Sequence, residues 1–134
     1  MFEFLEQRKI WLVYVPLVLY WIILFTATTL PGPQLPDIHL GDKIEHFSAF
    51  FILSIFLNLT LIFQRKSYLL FKFATLVTVI ICLSYGAIDE LHQMFIPGRT
   101  ADIRDWLADS TGVILGVLIL NFAKNLFKYK VKFE

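Results

Sequence analysis

Four long apolar runs dominate the hydrophobic pattern of this 134-residue chain. They cover about residues 10–30, 44–63, 68–93 and 103–122. A helix rises about 1.5 Å per residue, so about 20 apolar residues cross a hydrocarbon core roughly 30 Å thick. The pattern therefore predicts an all-α fold, an integral membrane four-helix bundle, in which residues 1–134 form a single membrane domain.

The first run could also be the apolar core of a signal peptide, because two basic residues precede it. Such a core usually has about 7–15 residues and ends at a small-residue cleavage site. This run is longer and ends in a segment rich in proline and glycine, residues 31–41. We therefore expect a retained span followed by a loop, with a kink at Pro16 inside the span.

Short polar segments separate the later runs. Gln64–Ser67 is so short that it predicts a tight hairpin between the second and third helices. The third helix is expected to be continuous over residues 68–93 and to stop before Pro97 and Gly98. A basic tail, residues 124–134, follows the fourth run.

Composition supports the membrane prediction and narrows the function. Hydrophobic residues make up 57% of the chain and charged residues 17%, whereas soluble domains are roughly 45–50% apolar and 25% charged. A net charge of +1 provides no basic field for nucleic acid, so we expect no nucleic-acid partner. The single cysteine, Cys82, cannot form a disulfide within the chain and is expected to be a buried, inert thiol.

The basic residues are unevenly distributed between the two ends of the predicted bundle. Nine of the 12 lie at the end that carries both termini: Arg8, Lys9, Arg65, Lys66, Lys72, Lys124, Lys128, Lys130 and Lys132. Cytoplasmic segments of membrane proteins carry an excess of lysine and arginine. Both termini are therefore predicted to be cytoplasmic.

The acidic residues and histidines concentrate at the opposite end. Those residues are Asp37, Asp42, Glu45, Asp89, Glu90, Asp102, Asp105, Asp109, His39, His46 and His92. We expect the following to be ordinary surface groups: Asp37, His39, Glu45, Asp89, Asp102 and Arg104. His46, Glu90, Asp105 and Asp109 differ, because each lies within or against an apolar segment, where an ionisable group is costly unless it is paired or functional.

Helical spacing places several of these groups on common faces. Asp42 and His46 are four residues apart, and Glu90 and Gln93 are three apart. The fourth helix carries one stripe at steps of three and four, namely Asp102, Asp105, Asp109, Gly112 and Gly116. A Gly-x-x-x-Gly step allows a neighbouring helix to approach closely. We therefore expect the stripe to face the interior of the bundle.

Three kinds of chemistry are open to this polar end. A divalent metal could bind to oxygen and imidazole ligands from Asp42, His46, Glu90 and Asp109, of which His46, Glu90 and Asp109 are the favoured metal candidates. Acid–base catalysis could use His46, Glu90 or Asp105. Lys43 and Arg99 could instead hold a phosphate or carboxylate. None of these spacings is specific to one chemistry.

Four separated polar blocks resemble the VanZ-like family. They are Asp42–Phe47, Gly86–Gln93, Pro97–Arg99 and Asp105–Gly112. The resemblance carries binding roles over to Asp42, Lys43, His46, Glu90, Gln93, Arg99, Asp105 and Asp109. Asp109 departs from the family pattern, which more often has asparagine there, and an extra acid favours cation binding.

The resemblance implies a multi-pass protein of the bacterial inner (cytoplasmic) membrane, in a family whose founding member is linked to resistance to the glycopeptide teicoplanin. The leading hypothesis is an extracytoplasmic polar pocket that binds or acts on a cell-envelope component. Expected partners are membrane lipids, a lipid-linked cell-wall precursor or a lipoglycopeptide. The alternatives are an enzyme that hydrolyses or transfers a group on a lipid, and a structural or scaffold subunit.

Overall fold

A computed structural model describes residues 1–31, 41–127 and 129. Its helices are α1 (Phe2–Gln7), α2 (Ile10–Thr29), α3 (Asp42–Phe63), α4 (Tyr68–Lys72), α5 (Ala74–Gln93) and α6 (Ile103–Leu126). Four of them, α2, α3, α5 and α6, are long and apolar enough to cross a membrane, and the described residues form no strand. The prediction of an integral membrane four-helix bundle is therefore confirmed.

The third apolar run is not one continuous helix, and this prediction was wrong. Phe73, with φ −104° and ψ 23°, interrupts it between α4 and α5. The hydroxyl oxygen of Ser67 accepts a hydrogen bond from the Leu70 amide and caps the start of α4. Since α4 buries no side chain, packing does not hold it in line with α5.

Two further differences concern helix ends. The first five residues of α2, Ile10–Tyr14, form a π-helical turn that ends two residues before Pro16. Turns of this kind accompany bends in helices, and proline cannot donate a backbone hydrogen bond to the preceding turn. α6 extends to Leu126, so the predicted tail begins within a helix. The predicted loop at 31–41 and the tail beyond 127 lie outside the described residues except for 31, 41 and Tyr129.

The four spans alternate in direction, so that α3 and α6 run parallel to each other. They pack closely, because glycines on α6 face the backbone of α3. A Cβ atom at Gly112 would overlap the carbonyl oxygen of Phe47, and one at Gly116 would overlap the hydroxyl of Ser54. The packing role predicted for the two glycines is confirmed.

Polar groups also connect the spans within the apolar layer. The Thr75 hydroxyl oxygen accepts hydrogen bonds from Asn58 Nδ2 at 3.4 Å and Asn121 Nδ2 at 3.1 Å, which joins α5 to α3 and α6. Cys82 is fully buried, as expected. Large apolar side chains such as Ile23, Leu118 and Phe122 remain exposed on the outside of the bundle, where lipid would cover them.

The two described ends of the chain lie together. Glu6 accepts hydrogen bonds from Arg65 and Tyr129, and Lys9 Nζ donates to the Phe63 carbonyl at 2.7 Å. Burial, and then the hydrogen bond to Glu6, raise the pKa of Tyr129. These contacts place both described ends on one side of the bundle. Their cytoplasmic location stays a prediction.

Candidate functional site

Three helix ends meet at the side opposite the two ends of the chain. The start of α3 contacts the start of α6 through the ion pair Lys43–Asp105 and through the contact between His46 Nδ1 and Asp109 Oδ1. The end of α5 joins them, since the Asp102 amide donates to Glu90 Oε2 at 2.8 Å. The polar blocks that are far apart in sequence therefore form one cluster.

Lys43 is surrounded by carboxylates. Its Nζ lies 3.2 Å from Asp42 Oδ2 and 3.1 Å from Asp102 Oδ2, and it also bonds to Asp105. Asp102 caps α6 by accepting from the Arg104 amide at 2.8 Å. That amide and the Lys43 ammonium lower the pKa of the Asp102 carboxyl. Lys43 thus neutralises acidic residues of the protein itself, which leaves it less suited to an anionic ligand.

His46 occupies the centre of a second, more buried group. Its Nδ1 lies 3.0 Å from Asp109 Oδ1 and 4.0 Å from Glu90 Oε1, while its Nε2 lies 3.9 Å from Asp42 Oδ1. The Asp109 and Glu90 residues are 1% and 6% exposed. The structure thus brings together the three residues predicted as metal candidates, with one ligand atom from each within 4.8 Å of the others.

Glycine creates the space for Asp109. A Cβ atom at Gly86 of α5 would lie 3.1 Å from Asp109 Oδ2 and 3.3 Å from Phe50 Cε1. α5 therefore approaches the carboxylate closely at a position without a side chain. Gly86 and Asp109 belong to two of the polar blocks identified in the sequence, and these two blocks therefore pack against each other.

Asp89 is not a surface group, and this expectation was wrong. The residue is 4% exposed, and its Oδ2 accepts from Gln93 Nε2 at 3.1 Å. Helical spacing contains the signal that reveals it, because Cys82, Gly86 and Asp89 lie on one buried face of α5 at steps of four and three. A charged residue near a helix end is ordinarily exposed, but Asp89 lies on the face of α5 that packs inward.

A cavity of about 230 Å³ lies beside the His46 group. Helices α2, α3 and α5 and the segment before α6 line it with Leu24, Ala27, Thr28, Asp42, Glu45, His46, Ala49, Phe50, Tyr85, Asp89 and Arg99. Arg99 Nη2 donates to the Ala27 carbonyl at 2.9 Å, which fixes the guanidinium against the end of α2. The cavity is thus apolar along part of its wall and charged along the rest.

Apart from Lys43, which pairs with the carboxylates described above, the predicted site residues fall into two sets. Asp42, His46 and Arg99 line the cavity, whereas Glu90, Gln93, Asp105 and Asp109 are buried in the helix contacts beside it. Tyr85 and Thr28 also line the cavity and were not predicted. Asp37 and His39 lie outside the described residues. The arrangement can hold a cation among the buried carboxylates and an anion at Arg99.

Four apolar spans with an ionisable cluster at one end define a multi-pass membrane protein with a polar site at one membrane face. The sequence profile of the VanZ/LLP1 family matches residues 5–124, so the chain belongs to the VanZ/LLP1 family. An uncharacterized protein of Schizosaccharomyces pombe is 29% identical over 133 residues, which cover 98% of this chain and 72% of that protein. No solved structure is significantly similar.

Proposed function

We propose that this protein binds the phosphate-bearing end of a lipid or of a lipid-linked cell-envelope component in the cavity beside His46. The observation that carries the proposal is the wall of that cavity, which combines apolar side chains such as Leu24 and Phe50 with the guanidinium of Arg99. Asp42, Glu45 and Asp89 also line the cavity, so the anionic group of the ligand would lie at Arg99 and away from these carboxylates. A ligand with an apolar chain and an anionic group matches both parts of such a wall.

The size of the cavity favours a headgroup over a whole drug molecule. Pockets for drug-sized ligands usually measure about 300–1,000 Å³, whereas this cavity measures about 230 Å³. A contribution to teicoplanin resistance would therefore depend on binding of a lipid or wall precursor and not on binding of the drug itself.

The charge distribution supports an extracytoplasmic ligand. Of the basic residues that the structure describes, Lys43, Arg99 and Arg104 lie at the end of the bundle that holds the cavity. The other described basic residues lie at the opposite end. By the positive-inside rule the cavity then faces the outside of a bacterial cytoplasmic membrane. That compartment is the one in which wall-targeting glycopeptides act.

The variant Arg99→Ala should weaken lipid binding at least about tenfold, because it removes a charge-assisted hydrogen bond to the phosphate. Native mass spectrometry of the purified protein with phosphatidylglycerol, phosphatidylethanolamine, a polyprenyl phosphate and diacylglycerol measures this and separates the lipid sources. Arg104→Ala is the matched control, since Arg104 is exposed at the same end and does not line the cavity. Equal binding of phosphate-free diacylglycerol would contradict the proposal.

The resistance link has its own measurement. Expression in a sensitive host should raise the inhibitory concentration of teicoplanin, which is lipidated, more than that of vancomycin. Arg99→Ala, inserted in the membrane at the same level, should abolish the difference. If the wild-type protein inserts and neither value changes, the resistance link fails while the lipid-binding proposal is still decided by the mass spectra.

A second candidate function is an enzyme that hydrolyses or transfers a group on a lipid. The contact between His46 Nδ1 and Asp109 Oδ1 at 3.0 Å favours it, because a carboxylate commonly orients a histidine that acts as a base. In that case a membrane lipid that wild-type cells consume should accumulate in cells with the His46→Ala variant. Lipid mass spectrometry measures this difference. Identical lipid profiles of wild-type and variant cells would exclude this function under the conditions tested.

A further inference from the structure

Two buried carboxylate oxygens in the His46 group have no hydrogen-bond partner within the described part of the chain. They are Glu90 Oε1 and Asp109 Oδ2. An unsatisfied buried acceptor is costly, and an unsatisfied carboxylate oxygen more so. Glu90 Oε1 lies 4.0 Å from His46 Nδ1, and Asp109 contacts the same nitrogen through its other oxygen, Oδ1, so both acids beside His46 retain acceptor capacity for a positively charged ligand.

The neighbouring acids already have partners. Asp105 is paired with Lys43, and Asp89 accepts from Gln93. Of the described residues, only His46 brings a potential positive charge within 4.0 Å of Glu90 and Asp109. One histidine can neutralise only one of two ionised carboxylates, so the second acid must either hold a proton or be paired with a further cation.

The distances from His46 to the two acids fit a metal ion that replaces the hydrogen bond between His46 and Asp109. Ligand atoms that each lie about 2.0–2.2 Å from a metal are roughly 3–4 Å from one another. His46 Nδ1 lies 3.0 Å from Asp109 Oδ1 and 4.0 Å from Glu90 Oε1. Asp42 Oδ1 lies 3.9 Å from His46 Nε2, and a carboxylate on the far nitrogen is the usual outer partner of a metal-bound histidine.

We propose that His46, Glu90 and Asp109 bind one divalent metal ion that joins α3, α5 and α6 at this end of the bundle. One imidazole nitrogen with two carboxylate oxygens suits Zn²⁺ or Mn²⁺ better than Ca²⁺ or Mg²⁺, which prefer all-oxygen sites. The inference goes beyond the lipid ligand proposed above. It can hold or fail without that ligand, because Glu90 and Asp109 do not line the cavity.

Elemental analysis of the full-length, untagged protein in detergent tests the inference, together with titration of the metal-free protein with Zn²⁺, Mn²⁺, Ca²⁺ and Mg²⁺. We expect about one Zn²⁺ or Mn²⁺ per chain. Asp109→Asn and Glu90→Gln should each weaken metal binding by more than about 100-fold. Replacing a residue that only orients a metal ligand typically weakens binding by about 10- to 100-fold. Both keep the size of the side chain, and circular dichroism checks that each variant folds.

The matched control is Asp89→Asn, which neutralises an equally buried carboxylate one residue before Glu90 and outside the group. It should keep the metal content of the wild-type protein. Absence of bound metal in the wild-type protein, with no response to any of the four ions, would overturn the inference. So would equal loss of metal in Asp89→Asn, because binding would then reflect acidic charge in general. Neither result depends on whether a lipid binds at Arg99.

Discussion

Replacing Gly112 by alanine should lower the free energy of unfolding by about 3 kcal/mol or more, the largest effect expected of a single added methyl group in this protein. The new Cβ would overlap the Phe47 carbonyl oxygen and lie 3.0 Å from the Phe51 amide nitrogen. Both atoms belong to the backbone of α3, so no side-chain rotation can relieve the contact. The two parallel helices would have to separate along the length of the site.

Thermal unfolding in detergent, followed by circular dichroism, measures this loss. Leu118→Phe is the matched control, because it adds volume on the same helix at a side chain that is 59% exposed on the outside of the bundle. The control should unfold near the wild-type temperature. A Gly112→Ala protein as stable as the wild type would show that α3 and α6 do not approach as closely as described.

Replacing His46 by leucine should cost about 3–5 kcal/mol, since it leaves Asp109 and Glu90 buried without the imidazole. The His46 side chain is only 12% exposed, and its 3.0 Å contact to Asp109 lies between α3 and α6. Replacing both partners by apolar residues removes the unpaired charge. The double variant His46→Leu with Asp109→Leu should therefore recover part of the stability, and a double-mutant cycle measures the coupling.

His92→Leu is the control for the loss of a histidine at the same end. His92 stacks on Phe25 at a ring distance of 6.0 Å, and it forms no ion pair with an acid among the described residues. Its replacement should cost much less than that of His46. Equal losses, or no recovery in the double variant, would contradict the importance of the His46–Asp109 pair.

These stability measurements also separate the scaffold reading from the ligand-binding one. If the polar cluster only holds three helix ends together, substitutions in it should change stability and nothing else. The variant Arg99→Ala, at a residue on the cavity wall, should lose lipid binding while its stability falls by only about 1 kcal/mol, the loss expected for the hydrogen bond to the Ala27 carbonyl. Loss of binding without a comparable loss of stability therefore identifies a binding site.

Hydrophobicity along the chain predicts the four spans well, because a membrane requires a fixed length of apolar helix whatever the neighbours are. It does not predict the break at Phe73, since the run is apolar on both sides of the break and only packing distinguishes α4 from α5. The spacing of Gly112 and Gly116 predicts their close contact, because one helical face must carry both.

Sequence by itself determined the number of spans, the concentration of acids and histidines at one end, and the face of α6 that turns inward. Only the tertiary structure decided that Lys43 pairs with Asp105, that His46 pairs with Asp109, and that Asp89 is buried. Periodicity defines a face within one helix but not the rotation of that helix against its neighbours. That rotation depends on the contacts that Gly86 and Gly112 permit, and it leaves two carboxylate oxygens buried without a partner among the described residues.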